Sequence, residues 1–408
     1  MFDFMLDEQY SVNVRWLGDE ATGFKPRRHV ALCEAEVPQG GIVWGLGSDQ
    51  NRTAAERIAR SELVEHFALA DAARHRMRFG QAAEHGIDPR NLRELTQDQA
   101  VRGQLAIYDP TRQYYWLEGK DIVSGRAVEI LADFCIAPFN PGSYPQRIAW
   151  GNSSGMAAHT ELSLAQRSAL LELFERDALM VTWMANFCPP YVPASWWPEM
   201  AAETIGTIEQ LGYSVYVLDL TCRNVPVVMA IAERDRWPAL SVGLAARESM
   251  VSAIDAAVRE LEVNLLWHFT AGRTASSACV DWRPPAVLGV GGHEPFYAQP
   301  RNRHYAAFLW TGRKVSKRSP TATSRFLTAQ GFNVRECCRS LGLDNLYQVD
   351  YPPVYGLPIV RFLTASLVPI SFGYDQFPLK HPARLTPVFP ADDSDNNCQD
   401  VTIPHPLA

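Results

Sequence analysis

Asn152–Trp183, NSSGMAAHTELSLAQRSALLELFERDALMVTW, decides how the rest of the chain is read. A Ser-Ser-Gly loop leads into a strong helical pattern. Ser163 with Gln166 forms a Ser-x-x-Gln capping box, which predicts the helix start. Leu170, Leu171, Phe174, Ala178 and Val181 recur at helical spacing and define one apolar face. Ser168, Glu172, Glu175 and Arg176 fall together on the opposite face. Carboxylates one turn apart repel, so something must compensate them. Arg176 is one candidate, and a divalent cation is another. Mg²⁺ is commonly held by one or two carboxylates completed by phosphate oxygens. The plainer alternative is a solvated helix face with a local Glu–Arg pair.

The same style of helix occurs twice more. Thr53 and Glu56 predict a cap for a helix running to about Arg76, preceded by a Gly-rich step that ends Gly45-Leu46-Gly47. Aligned at constant offset, Thr53, Arg60, Ser61, Leu63, Glu65 and Phe67 match Thr160, Arg167, Ser168, Leu170, Glu172 and Phe174. This is an internal repeat, and it places Ala68 opposite Glu175. A third helix, from about Ser252 to Phe269 with Asp255 completing its cap, follows the turn at Gly243. It sets Glu260 and Asn264 where the central helix has Glu172 and Arg176, and Val263 where it has Glu175. Three small-residue turns, each feeding a helix with an inward Glu, point to one shared site; three capped helices with exposed acids are the alternative.

Composition bounds the class. The chain has 408 residues, 47% apolar and 20% charged, ordinary for a globular protein with a large core. A net charge of −7 argues against a nucleic-acid surface. No apolar run is long enough to span a membrane, and the acidic start lacks the pattern of a signal peptide, so a cytoplasmic location is expected. Eight cysteines, none in a Cys-x-x-Cys pair, are expected to be free thiols rather than zinc ligands. Residues 1–40 read as a short β-rich lead, 41–390 as the main domain and 391–408 as an acidic linker with a Pro-rich tail. Gln104–Tyr108 and Tyr114–Leu117 read as strands. Residues 202–211, 214–220 and 225–232 read as a helix and two strands in a βαβ-like patch. The end, Pro404-His405-Pro406, favours an extended conformation and the pattern of a tail that docks.

These residues resemble the YcaO family over roughly 40–408. SSGMAAH followed by LELFERDA is similar to its Gly-x-Ala loop and Glu-x-x-Glu-Arg-Asp motif. Gly45-Leu-Gly47 with Ser61 and Glu65 resembles an earlier Gly-Lys-Gly and Ser-x-x-x-Glu-x-x-Glu pair. Ala257–Glu260 resembles a third acidic motif, and Val360-Arg361 with Ser366–Pro369 a late Val-Arg and Pro-Gly-Leu segment. The resemblance implies an α/β (α+β) YcaO-like fold, with repeated sheet-plus-helix units around one nucleotide site.

It also implies an enzyme using ATP and Mg²⁺ that activates a peptide amide oxygen. Cys, Ser or Thr side chains of a ribosomally made precursor peptide would then close to thiazolines or oxazolines. Carried over, Glu65, Glu172 and Glu175 become metal ligands. Gly45, Gly47, Ser61, Ser168, Arg176 and Glu260 become nucleotide contacts. Glu172, Arg176, Pro404, Pro406 and Ala408 become catalytic candidates. The departures are Leu46 for Lys, Ala68 for Glu, Leu164 for an acid, Val263 or Asn264 for Gln and Ala408 for Pro. The implied partners are the precursor peptide with its leader, a leader-binding E1-like protein and an FMN-dependent dehydrogenase, in a hetero-oligomeric complex. Thioamide or macroamidine formation, and a non-catalytic scaffold, are the competing readings.

Overall fold

The structure is a computed structural model. It describes residues 11–18, 24–37, 41–71, 75–137, 147–275, 283–287, 289–312, 314–321, 323–377 and 402–407. The loop expected at 139–145, the linker at 391–401 and Ala408 lie outside these residues. In chain order the elements begin with β1 (Asn13–Leu17), β2 (His29–Glu36), β3 (Ile42–Asp49), α1 (Arg52–Ala70) and β4 (Met77–Gly80). There follow α2 (Pro89–Leu92), α3 (Gln97–Arg102), β5 (Tyr114–Asp121), β6 (Ala127–Leu131), β7 (Met156–Ala158) and α4 (Leu162–Met184). Next come α5 (Glu199–Gln210), β8 (Ser214–Asp219), β9 (Val227–Glu233), β10 (Leu240–Ala246) and α6 (Met250–Ala275). The last are α7 (Val290–Ala298), α8 (Val334–Leu341), β11 (Tyr347–Val354) and β12 (Leu357–Leu363).

The chain divides into two compact units. The first comprises Met1–Trp16, His29–Leu173 and Phe326–Pro369; the second comprises Leu17–Arg28, Phe174–Arg325 and Ile370–Ala408. The first unit holds a three-stranded sheet, β1-β2-β3, and a larger sheet in the order β4-β5-β11-β12-β7, with β6 beside β5. β2 pairs antiparallel with β3 along its whole length, from His29↔Asp49 to Glu36↔Ile42. The boundary expected at residue 40 therefore falls between two partnered strands. Val64, Phe67 and Ala68 of α1 pack with Ile130, Met156, Val349 and Ile359 in the core of this unit.

The second unit is built on β10-β9-β8, and both pairings are antiparallel. The βαβ-like patch is thus a meander, with α5 lying ahead of its three strands rather than crossing between parallel ones. The fold is α+β in character. Gln104–Tyr108 forms no strand; Gln104 sits at φ +54° after α3, a left-handed residue that ends regular structure.

The three key helices begin a few residues before their expected caps. Asn51 caps α1, its side chain accepting from Ala54 N–H at 3.1 Å. In α4 the Glu161 carbonyl accepts from Ala165 N–H at 3.0 Å, which leaves Ser163 inside the first turn. Ser249 opens α6: its hydroxyl accepts from Ser252 N–H at 3.2 Å and its carbonyl from Ala253 N–H at 3.0 Å.

Candidate functional site

One local construction recurs: a strand presses against the helix that follows it, and a helix glutamate reaches back to a backbone N–H of that strand. In the first unit β3 lies on α1. A Cβ at Gly45 would fall 2.3 Å from the Ala59 carbonyl oxygen, and one at Gly47 would fall 2.1 Å from that of Ala55. Only glycine permits this approach. These two residues therefore face the helix backbone, and this packing alone requires glycine at both positions. The approach brings Leu46 N–H to Glu62 Oε2 at 2.8 Å. The second unit repeats this with β10 on α6. A Cβ at Gly243 would meet Ala257 O at 2.1 Å, and Leu244 N–H donates to Glu260 Oε2 at 3.2 Å. The strand-to-Glu separation is 16 residues in both. For α4, Gly155 N–H donates to Glu172 Oε2 at 3.2 Å. Gly155 sits at φ +73°, where a Cβ would lie 2.6 Å from the Phe362 carbonyl.

A second glutamate, one turn on, accepts from the strand of the next repeat. Ala158 N–H of β7 donates to Glu65 Oε1 at 2.8 Å, and Ala246 N–H of β10 donates to Glu175 Oε2 at 3.0 Å. The repeat register follows. Glu62-x-x-Glu65 corresponds to Glu172-x-x-Glu175, with Ala59, Ala169 and Ala257 standing three residues before the first acid of each helix. Sequence matching set Glu65 against Glu172, which is three residues out. Ala68 is not a lost carboxylate; it is buried in the apolar core. Glu62 was missed, and the signal that finds it is the repeated Ala-x-x-Glu.

The electrostatics of each set favour a cation. In the first unit, burial raises the Glu62 and Glu65 carboxyls above their ordinary range, Glu65 strongly, and the charge of Glu172 pushes both further. In the second unit Glu175 is 7% exposed, with Arg176 Nη1 3.3 Å from its Oε1. Burial pushes Glu260 up to about 8; Glu175 adds to this and Arg176 opposes it. Asn264, one turn past Glu260, donates to the Val242 carbonyl at 2.8 Å. Val263 fills the place of a second acid on α6 and is only 9% exposed.

Oxygen donors that repel one another and are partly removed from water fit a hard divalent cation. Among the described residues no three His, Cys, Asp or Glu side chains form a metal-holding group. The donors present suit Mg²⁺ completed by phosphate oxygens and water. Of the two serines, Ser61 is half-buried and Ser168 exposed.

The tail is docked within the second unit. Pro404, His405, Pro406 and Leu407 are buried, with bends at Ile403 and Pro406 in place of a continuous extended run. Burial and the neighbouring His293 hold the His405 imidazole well below its usual range, and the charge of Arg176 lowers it further. The cysteines at 33, 135, 188, 222, 337 and 338 are free, as expected. No helix among the described residues is long and apolar enough to cross a membrane.

Comparison with known proteins defines the class. Residues 46–368 match the family model of YcaO cyclodehydratases, described as ATP- and Mg²⁺-binding. The chain belongs to the YcaO family. Among solved structures it is similar to a heterocyclase in complex with substrate and cofactor, at TM-score 0.72 and 17% identity, over 97% of this chain and 55% of that one. It thus spans about half the length of that heterocyclase. YcaO from Methanopyrus kandleri bound with AMPPCP and Mg²⁺ matches at TM-score 0.62 and 17% identity, over 88% of this chain and 85% of that one. A chain of the E. coli microcin synthetase McbBCD complex with pro-MccB17 bound matches at TM-score 0.60 and 11% identity, over 90% of each. No curated protein matches the sequence.

Proposed function

We propose that the chain carries out ATP-dependent cyclodehydration of Cys, Ser or Thr residues in a ribosomally made precursor peptide, giving thiazolines or oxazolines. The observation that carries this reading is the repeated Glu-x-x-Glu whose carboxylates are fixed by strand amides: Glu62 and Glu65 on α1, Glu172 and Glu175 on α4. Family membership and the fold shared with a heterocyclase support it. Mg²⁺ would be held by Glu62, Glu65, Glu172 and Glu175. Arg176 and Glu260 with Ser61 and Ser168 are the proposed nucleotide contacts. Bound ATP with Mg²⁺ would supply a phosphoryl group that turns a peptide amide oxygen into a leaving group.

The chain's own contribution is positional. The strand amides fix each carboxylate before any ligand arrives, so little reorganisation is needed on binding. Arg176 supplies positive charge beside Glu175 and near the tail. Pro404, Pro406 and Ala408 are the proposed catalytic end of the chain. The partners proposed are a leader-bearing precursor, a leader-binding E1-like protein and an FMN-dependent dehydrogenase acting on the azoline. Support for a complex comes from the likeness to a chain of McbBCD. Cytoplasmic residence completes the proposal.

The test is calorimetric titration of the full chain with ATP and Mg²⁺, alongside Glu172→Ala. Micromolar, Mg²⁺-dependent binding that the variant loses is the expected result; equal binding by both chains overturns the carboxylate assignment. A second reading, a non-catalytic scaffold, is favoured by Val263 and Leu46 standing at family-motif positions. Under it, Glu172→Ala leaves peptide modification intact. Under a thioamide-forming reading, sulfur replaces oxygen and the product shows no net loss of water; an amidine loses one water as an azoline does, and is told apart by the amine it consumes in place of a Cys, Ser or Thr side chain.

A further inference from the structure

Three consecutive backbone carbonyls of the tail each meet a donor from a buried aromatic side chain. Trp183 Nε1–H donates to the Ile403 carbonyl at 2.9 Å. The Tyr297 hydroxyl donates to the Pro404 carbonyl at 2.6 Å. His293 Nδ1 lies 2.8 Å from the His405 carbonyl. Gly373 N–H donates to His293 Nε2 at 2.8 Å, which makes Nε2 the acceptor and leaves the proton of the neutral ring on Nδ1, aimed at the tail. Trp183, Tyr297 and His293 are all within 1% of complete burial. An indole, a phenol and an imidazole are costly to bury without partners, and the tail supplies all three.

The arrangement suits a Pro-x-Pro segment. Proline has no N–H, so at Pro404 and Pro406 the backbone offers carbonyls only. Asp375 N–H donates to the Thr402 carbonyl at 2.8 Å and extends the series one residue upstream. His405 adds a contact of its own, from Nε2 to the Ser371 carbonyl at 3.0 Å. Trp183 stands two turns beyond Arg176 on α4, so the register of the tail is set against the helix that carries Arg176.

We infer that Trp183, Tyr297 and His293 are positioning residues that hold segment 403–405 by its carbonyls, in one register relative to Arg176. This rests on the reading that the tail takes part in the reaction. The hydrogen bonds of the clamp go to backbone, and the His293 ring also packs on the His405 ring at 4.6 Å between centroids.

The test uses the full chain with Tyr297→Phe, His293→Phe and His293→Gln. Phe removes a donor in each case. Gln retains a donor for the tail and an acceptor for Gly373. Hydrogen exchange at the His405 and Leu407 amides reports tail docking, exchange in β9 reports the fold, and ATP turnover with Mg²⁺ reports function. Each Phe variant is expected to raise tail exchange by about tenfold, the worth of one buried hydrogen bond, with β9 unchanged. It should lower kcat for ATP by a similar factor with KM held within about twofold, and Gln should restore both. Unchanged tail exchange in the Tyr297→Phe, His293→Phe double variant overturns the clamp. Faster tail exchange at unaltered kcat overturns the positioning role. A parent chain without ATP turnover counts against the cyclodehydratase reading, while the exchange ratio still decides the clamp.

Discussion

β3 with α1 and β10 with α6 are two versions of one construction, and the difference that bears on the site is at one helix position. Both place a glycine on the helix backbone, and both satisfy a helix glutamate with the N–H of a leucine that follows that glycine. In α1 a second acid, Glu65, then accepts from β7, the strand of the next repeat. In α6 the corresponding residue is Val263. The reason is topological. Among the described residues the second unit has no strand after α6, so an acid at 263 would have no following strand amide to accept. The glycine and the first glutamate belong to the strand–helix step itself; the second glutamate belongs to the junction between repeats.

Removing the carboxylates is the most severe way to break this comparison. Glu172→Ala or Glu65→Ala should weaken Mg²⁺-dependent ATP binding by about 100-fold or more, measured by calorimetry, because each removes both a charge and an amide-fixed donor. Gly45→Ala and Gly243→Ala test whether the two steps are equivalent in packing. Each forces the strand off its helix and should cost about 1–3 kcal/mol in denaturant unfolding. A loss confined to one glycine would show that the steps are not the same device.

Val263→Glu probes the point of difference. Restoring the acid without an amide to meet it should lower stability by about 1–3 kcal/mol, and a neutral result would overturn the topological explanation. The smallest effect concerns α7, where burial pushes the Glu294 carboxyl from 4.5 to about 7 beside His268 at 3.2 Å. A raised folded-state pKa gives stability that is complete below the unfolded value and is lost as pH rises through about 7. Glu294→Gln should flatten that fall in Tm. It should leave the acid-side loss set by His268, whose imidazole burial pushes down to about 4.

Much of the central helix was legible. Leu170, Leu171, Phe174, Ala178 and Val181 form its buried face as their spacing implies. The caps were not, because Ser, Thr and Asn recur near each helix start and only the hydrogen bonds choose among Asn51, Glu161 and Ser249. The repeat register slipped by three residues because identities such as Leu63 with Leu170 and Phe67 with Phe174 reflect apolar face composition, which an adjacent turn satisfies equally well. The polar role of Glu62 depends on where β3 lies, and that is a tertiary fact. The packing of Gly45 and Gly47 on α1 was not legible either, because glycine serves both close backbone approach and anion binding, and pattern alone does not separate the two. Docking of the tail was foreseen from its composition; its bends and its carbonyl contacts were not.

The reach of the second glutamates has a consequence for synthesis on the ribosome. Glu65 waits for an amide 93 residues further along, and Glu175 for one 71 residues further along. α1 and α4 are therefore each made before the strand amide that their second glutamate accepts from. The Glu65 contact cannot form until β7 emerges, nor the Glu175 contact until β10 does. The apolar partners of α1 on β11 and β12, Val349 and Ile359 among them, come later still, so the first helix of the chain is completed by some of its last strands.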